Sequence, residues 1–180
     1  SGANYGNGNY AVSSNVASVA PVRSPYGLFD NSVSVTGASS LNMGFWQTST
    51  RTNVAVTIIL PSAITVRKYV LWPADTTLSG FAEPGSSTDA TLPGNVGEDG
   101  LRRPKSWILQ GSNDGTSWTT LDTVTNNPPS ISGDVHTISS PDTYSRYKLI
   151  VVEINGSIEY LMLGELQLFG DIPLTSITFS

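Results

Sequence analysis

Residues 103–122 read RPKSWILQGSNDGTSWTTLD. Lys105 to Gly111 and Ser117 to Val124 are short, rich in aromatic and β-branched residues, and separated by Ser112-Asn113-Asp114-Gly115. Asn, Asp and Gly tolerate the left-handed backbone of tight turns, so the stretch predicts an antiparallel hairpin. Asp114 is then a turn-former rather than a catalyst. Trp107 and Trp118, with Tyr147 further along, are expected to fill the core.

Outward from this hairpin the same grammar repeats. Asn53 to Leu60, Ile64 to Trp72, Val135 to Ser139, Arg146 to Glu153 and Leu161 to Phe169 are further strand candidates. Asn155-Gly156 is a second turn signal, and Pro128-Pro129 forbids a continuing ladder. In the second run Ile64, Val66, Val70 and Trp72 share one parity, which predicts that they face the core. Tyr69 and Leu71 fall on the outer parity, and Lys68 interrupts the pattern. No window carries a helical stripe. About eight short strands in one chain point to an all-β fold, an antiparallel β-sandwich of jelly-roll type.

Composition agrees with that class and excludes others. The 180 residues include 25 Ser, 19 Thr, 17 Gly and 11 Pro, while 13% are charged and the net charge is −5. There is no cysteine and one histidine, His136. A disulfide framework, a thiolate metal site, a Cys nucleophile and any two-histidine zinc site are therefore excluded. Nine Lys and Arg without a basic run leave no footprint for duplex nucleic acid or anionic lipid, so neither nucleic-acid binding nor membrane insertion is expected. The longest apolar run, Val54 to Leu60, is far short of the ~20 residues of a spanning helix.

The expected organisation is a lead-in over 1–20, a β-sandwich domain over 21–170, and a strand or linker over 171–180. The opening SGANYGNGNY has no Val, Leu, Ile or Met, and the chain begins without methionine, which reads as an excised or processed piece. One connection, Pro73 to Arg103, is out of scale with the usual ~4 to 6 residues. Long loops on a rigid β scaffold usually carry function.

The 103–122 stretch closely resembles the middle of discoidin-like, or coagulation factor 5/8 type C, domains. These belong to the galactose-binding-domain-like superfamily, which includes many bacterial carbohydrate-binding modules. The likeness continues in family order. Tyr144-Ser145-Arg146-Tyr147-Lys148-Leu149-Ile150-Val151 resembles the family's Y-R-Y-x-R-L-x-V strand, and Leu163-Gly164-Glu165-Leu166-Gln167-Leu168-Phe169-Gly170 its closing L-G-E-L-Q-L-F-G strand. Upstream, Leu28-Phe29-Asp30 is similar to the A-F-D-G loop and Trp46-Gln47-Thr48-Ser49 to the W-x-S after it. Asn31 replaces the usual Gly, the stretch Asn31 to Phe45 is longer than the family loop, and the terminal cysteine pair of animal members is missing. The last departure favours a bacterial or phage relative.

The resemblance implies a structural Ca²⁺ held by Asp30, Glu165 and oxygens between Ser32 and Thr36. Calcium suits such a site because it accepts 6 to 8 oxygens in irregular geometry. The alternatives are an ion pair from Glu165 to Arg23, Arg51 or Arg146, or a Glu165 that faces solvent at a strand end. For sugar recognition an aromatic platform and a few polar groups are needed. The long connection supplies Phe81, Glu98, Asp99 and Arg102, with Trp72 at its root, and Trp46 and Asn155 complete the candidate ligand set. The alternative places Trp46 and Trp72 in the core and leaves the three charged residues as a solvated cluster. Catalysis is not expected. Glu153 and Glu159 have the spacing of solvent-facing charges, and no serine sits in a nucleophile motif.

The expected function is a non-catalytic carbohydrate-binding or adhesion module, cut from a larger extracellular or virion-surface protein. Its partners would be a cell-surface or polymeric carbohydrate, together with other subunits if it belongs to a phage tail, baseplate or spike. The rival is a structural module that joins or decorates an assembly and binds no glycan.

Overall fold

The two runs at 53–60 and 64–72 form one strand in the computed structural model, which describes residues 4–5, 8–18, 24–29, 46–74, 102–130, 132–156 and 160–171. This strand, β5 (Val54–Trp72), organises the molecule. Before it come β1 (Asn4–Tyr5), β2 (Gly8–Asn9), β3 (Ala11–Ser14), a 3-10 helix (Pro25–Phe29) and β4 (Trp46–Gln47). After it come β6 (Pro104–Ser112), β7 (Thr119–Val124), β8 (Asp134–Thr137), β9 (Thr143–Ile154), β10 (Met162–Leu163) and β11 (Glu165–Asp171). All pairings are antiparallel.

The first half of β5 lies between β3 and β9, and β9 continues to β6 and β7. Its second half lies between β11 and β8. Pro61 falls inside the interval, Ile59 to Ile64, where the register with β9 shifts. Proline lacks the N–H a ladder needs, so the backbone stays extended there while its pairing breaks. Past this point β5 serves a second layer, and polar contacts tie the two layers face to face. The Trp107 indole in β6 donates to the Tyr69 hydroxyl in β5 (2.9 Å), and that hydroxyl donates to Asp122 in β7 (2.7 Å). His136 of β8 stacks on Tyr69 with centroids 5.0 Å apart. The sequence-predicted all-β sandwich is the observed architecture.

Parity along β5 differs from expectation, for a local reason. In the ladder with β11, Phe169 faces Lys68 and Gly170 faces Val66, leaving Arg67 as an extra residue, a β-bulge. Beyond it the inward set changes: Tyr69 and Leu71 join the core, while Trp72 is half-buried. A second bulge explains Trp118. Leu109 faces Asp122 and Gln110 faces Thr120, so Leu121 is the extra residue. Asp122 thereby turns toward the core and Trp118 toward the outer face. Trp118 is half-buried under Lys148, whose Nζ lies 3.5 Å from the ring centroid, whereas Trp107 and Tyr147 are core residues as expected.

Of the expected lead-in 1–20, Ala11–Ser14 is an edge strand on β5 and Val12 is buried in the core. The Tyr10 hydroxyl donates to the Phe29 carbonyl (2.7 Å), and the Asn15 side chain both accepts from Ala55 N–H and donates to Asn53. A four-residue strand with one core side chain leaves little periodicity to read. Asp171 ends β11, where it pairs with Arg67 (2.6 Å). Residues 172–180 lie outside the described part.

The 112–117 turn behaves as predicted. Gly115 has φ +79°, and Asp114 Oδ1 accepts from the backbone N–H groups of Thr116 and Ser117. Those donors hold the Asp114 carboxyl well below the usual range.

Candidate functional site

Antiparallel register brings one set of strand ends together. Pro104 faces Ile154, Leu71 faces Asp134, Trp72 faces Glu165 and Trp46 faces Leu163. The connection from Pro73 to Arg103 therefore leaves and re-enters at the same end of the sandwich as Asn155 and the start of β11.

Trp72 stands at the root of that connection. Its Nε1 donates to Gln167 Oε1 (3.0 Å) and its ring lies across Gly133, where an added Cβ would come within 2.7 Å of the indole. Gly164 has a comparable reason: a Cβ there would meet the Pro73 carbonyl oxygen, while its N–H donates to the Trp72 carbonyl (2.9 Å). Arg102 places its guanidinium 5.7 Å from the Tyr160 ring centroid, and its carbonyl accepts from Met162 N–H (3.0 Å). Arg103, which sequence reading passed over, is buried, and its guanidinium donates to the Ser130 carbonyl. Its neighbour's charge and the loop context gave no signal that one of two adjacent arginines turns inward.

Two expected ligand residues have structural positions. Trp46 is entirely buried and belongs to the core, because β4 is laid against β10. Asn155 directs its side-chain amide at the carbonyls of Arg103 (3.3 Å) and Pro104 (3.2 Å), so it ties the end of β9 to the start of β6. Phe81, Glu98 and Asp99 lie outside the described residues. The interior cavity beneath Trp72, bordered by Arg103, Pro104 and Trp107, measures about 10 Å³. That is room for about one water, too little for any larger ligand.

Glu165 is 3% exposed at the start of β11. The 3-10 helix packs against β11 and ends at Phe29, which lines the same cleft as Glu165. Burying a carboxylate calls for a compensating charge or donors, and a hard cation with oxygen ligands fits. Asp30, Ser32 and Thr36 lie outside the described residues, as does Arg23. Arg146 sits at the other end, donating to the Asn113 carbonyl.

Groups with catalytic names have other occupations. Glu153 pairs with Lys105 (2.9 Å) at the surface, and Glu159 lies outside the described residues. His136 is wedged between Tyr69 and Trp107, 4.0 Å from Asp122, and burial lowers its pKa against the opposing pull of Asp122 and Asp134. Among the described residues no three His, Cys, Asp or Glu side chains gather as a metal cluster. No described helix is long and apolar enough to cross a membrane.

No protein-family model matches the chain, and no curated protein matches it. Solved structures do. The family 32 carbohydrate-binding module from Streptococcus pneumoniae EndoD is 17% identical, with 90% of this chain and 96% of that one covered and a TM-score of 0.63. The family 32 module from C. perfringens NanJ, solved in complex with galactose, is 13% identical over 88% and 92%, with a TM-score of 0.61. Chitosan-binding module 1 from a Paenibacillus sp. IK-5 chitosanase/glucanase is 18% identical over 89% and 94%, with a TM-score of 0.57. The chain has the discoidin-like, galactose-binding-like β-sandwich fold of these modules, as its sequence motifs implied.

Proposed function

We propose that this chain is a non-catalytic carbohydrate-binding module that holds a cell-surface or polymeric glycan on the loop end of its sandwich. One observation carries the reading: Trp72, Arg102 and Tyr160 stand where a connection of about thirty residues leaves a rigid two-layer scaffold. It is supported by the shared fold with modules described with galactose, with GalNAc-β-1,3-galactose and as chitosan-binding. A half-buried indole offers an apolar edge to a pyranose, and the guanidinium offers donors to its hydroxyls. The setting proposed is extracellular or on a virion surface. A shallow rim binds weakly, so several copies would act together.

A glycan array probed with the multivalently displayed chain tests this. A reproducible hit that weakens at least tenfold in Arg102→Ala, with an unchanged melting temperature, supports the reading. A blank array from folded protein overturns it in favour of a structural module that decorates an assembly.

The same proposal includes a structural Ca²⁺ at Glu165, shared with Asp30 and oxygens between Ser32 and Thr36. The fit rests on the buried carboxylate and on the approach of Phe29 to β11. A ligand that binds only the folded state stabilises it by mass action, so chelation should lower the melting temperature and added calcium restore it. Identical melts in both conditions would sink the site.

A further inference from the structure

The outer face of the first layer carries a row of polar side chains five strands wide. Ser13 faces Thr57, Thr57 faces Lys148, Lys148 faces Gln110 and Gln110 faces Thr120. At about 4.8 Å between strands the row is roughly 19 Å long, close to the length of four linked sugar rings. Two residues away on β9, on the same face, is Arg146. The bulge at Leu121 puts Trp118 on this face as well, with its Nε1 fixed to the Gly115 carbonyl (3.1 Å) and its ring against Lys148.

Charge is distributed unevenly across the chain. Arg67 meets Asp171 and Lys105 meets Glu153, each across a strand boundary. Arg146 and Lys148 meet no carboxylate among the described residues: one bonds the Asn113 carbonyl and the other rests on an indole. In a protein of net charge −5, two adjacent cations that pair with no carboxylate among the described residues, beside an aromatic ring and a line of hydroxyl and amide groups, offer charge complementarity to a negatively charged partner; Asp114, in the same turn, is engaged by the Thr116 and Ser117 N–H groups.

We propose that this face is a second glycan surface, separate from the loop end, that binds an acidic polysaccharide with its carboxylate or sulfate groups at Arg146 and Lys148. Trp118 supplies the wall for a sugar ring, and Gln110, Thr57 and Thr120 meet hydroxyls along the chain. An anion at Lys148 also offsets the desolvation that lowers that ammonium's pKa against the ring. Because the proposal stands on β9 and the 112–118 turn, it is independent of the loop-end reading.

Affinity electrophoresis of the intact chain tests it, in native gels containing alginate (a uronate polymer), dextran sulfate, or neutral dextran. Retardation by alginate or dextran sulfate but not by dextran is expected, against the direction set by the protein's own net negative charge. The two acidic gels distinguish carboxylate from sulfate recognition. Retardation should fall at least tenfold in Arg146→Gln/Lys148→Gln, weaken with added salt, survive in Lys148→Arg, and be unaffected by Arg102→Ala. Equal mobility in acidic and neutral gels overturns the proposal. So does retardation that the double variant retains at an unchanged melting temperature, or equal retention by duplex DNA or anionic lipid vesicles, which would mark a general anion patch. If the double variant melts early, the single Lys148→Gln and Lys148→Arg variants decide: equal loss in both leaves only a clamp on the hairpin and refutes the site.

Discussion

Replacing Tyr69 by Phe removes one oxygen from the contact between the two layers and leaves the ring in place. That oxygen accepts from the Trp107 indole at 2.9 Å and donates to Asp122 at 2.7 Å, with Tyr69 and Trp107 both essentially inaccessible to solvent. Without it, the buried indole N–H has no acceptor, a loss of about 1–3 kcal/mol, and Asp122 loses a bond to a charged group of about 1.5–3 kcal/mol. Asp122 keeps a 24% exposed side chain, so water recovers part of the second term. The sum expected is about 2–4 kcal/mol, or roughly 5–15 °C in Tm for a chain of this length. Urea melts at pH 7, followed by tryptophan fluorescence, measure it directly. Total stabilities of about 5–15 kcal/mol leave the variant folded and the difference readable. A loss below about 0.5 kcal/mol would show that the hydroxyl is not the joint between the layers and would refute the reasoning.

His136 gives a pH signature. Burial lowers its native pKa below the unfolded value of 6.5, so the unfolded state binds more protons just below that pH. Stability should be full above pH 6.5 and fall as the pH drops from 6.5 toward the native pKa. The groups facing His136 are Asp122, Asp134 and Tyr69, and the two carboxylates limit the effect. Urea melts from pH 5 to 8 should lose that slope in His136→Phe, and an unchanged slope would assign it elsewhere. Gly133→Ala forces a methyl group against the Trp72 ring and Val70, and is expected to cost about 1–3 kcal/mol and shift the tryptophan emission. Wild-type melting and emission would show that the indole does not rest there.

How much of this was legible depended on whether the controlling interaction is local. The 103–122 hairpin is written in consecutive residues, strand, turn and strand, and it formed as read. The parity of Tyr69 and Leu71 depends on Arg67 bulging against β11, whose residues are about a hundred positions away, so no window around β5 contains the information. Trp118 leaves the core expected of it, and Asp122 turns inward, through the bulge at Leu121, set by pairing with β6. At the loop end, Trp72 and Arg102 could be singled out in the sequence because they flank the long connection. Arg103 was not, because its inward turn is decided by the Ser130 carbonyl on a different segment. Trp46 looked like a platform because aromatic residues in short, loop-rich stretches read alike whether they cap a core or face a ligand.

The 19-residue β5 runs through both layers without a break in the chain. Most sandwiches can be pictured as two leaves that part along the seam between them, but here the leaves share a spine. A pull on either sheet travels along one backbone into the other, and the joint at Tyr69 is loaded in parallel. Strung in series between a moving surface and an anchored polymer, such a unit yields as a whole, and the paired core amides of both halves of β5, 54–58 and 66–71, should exchange with solvent only when the entire domain opens.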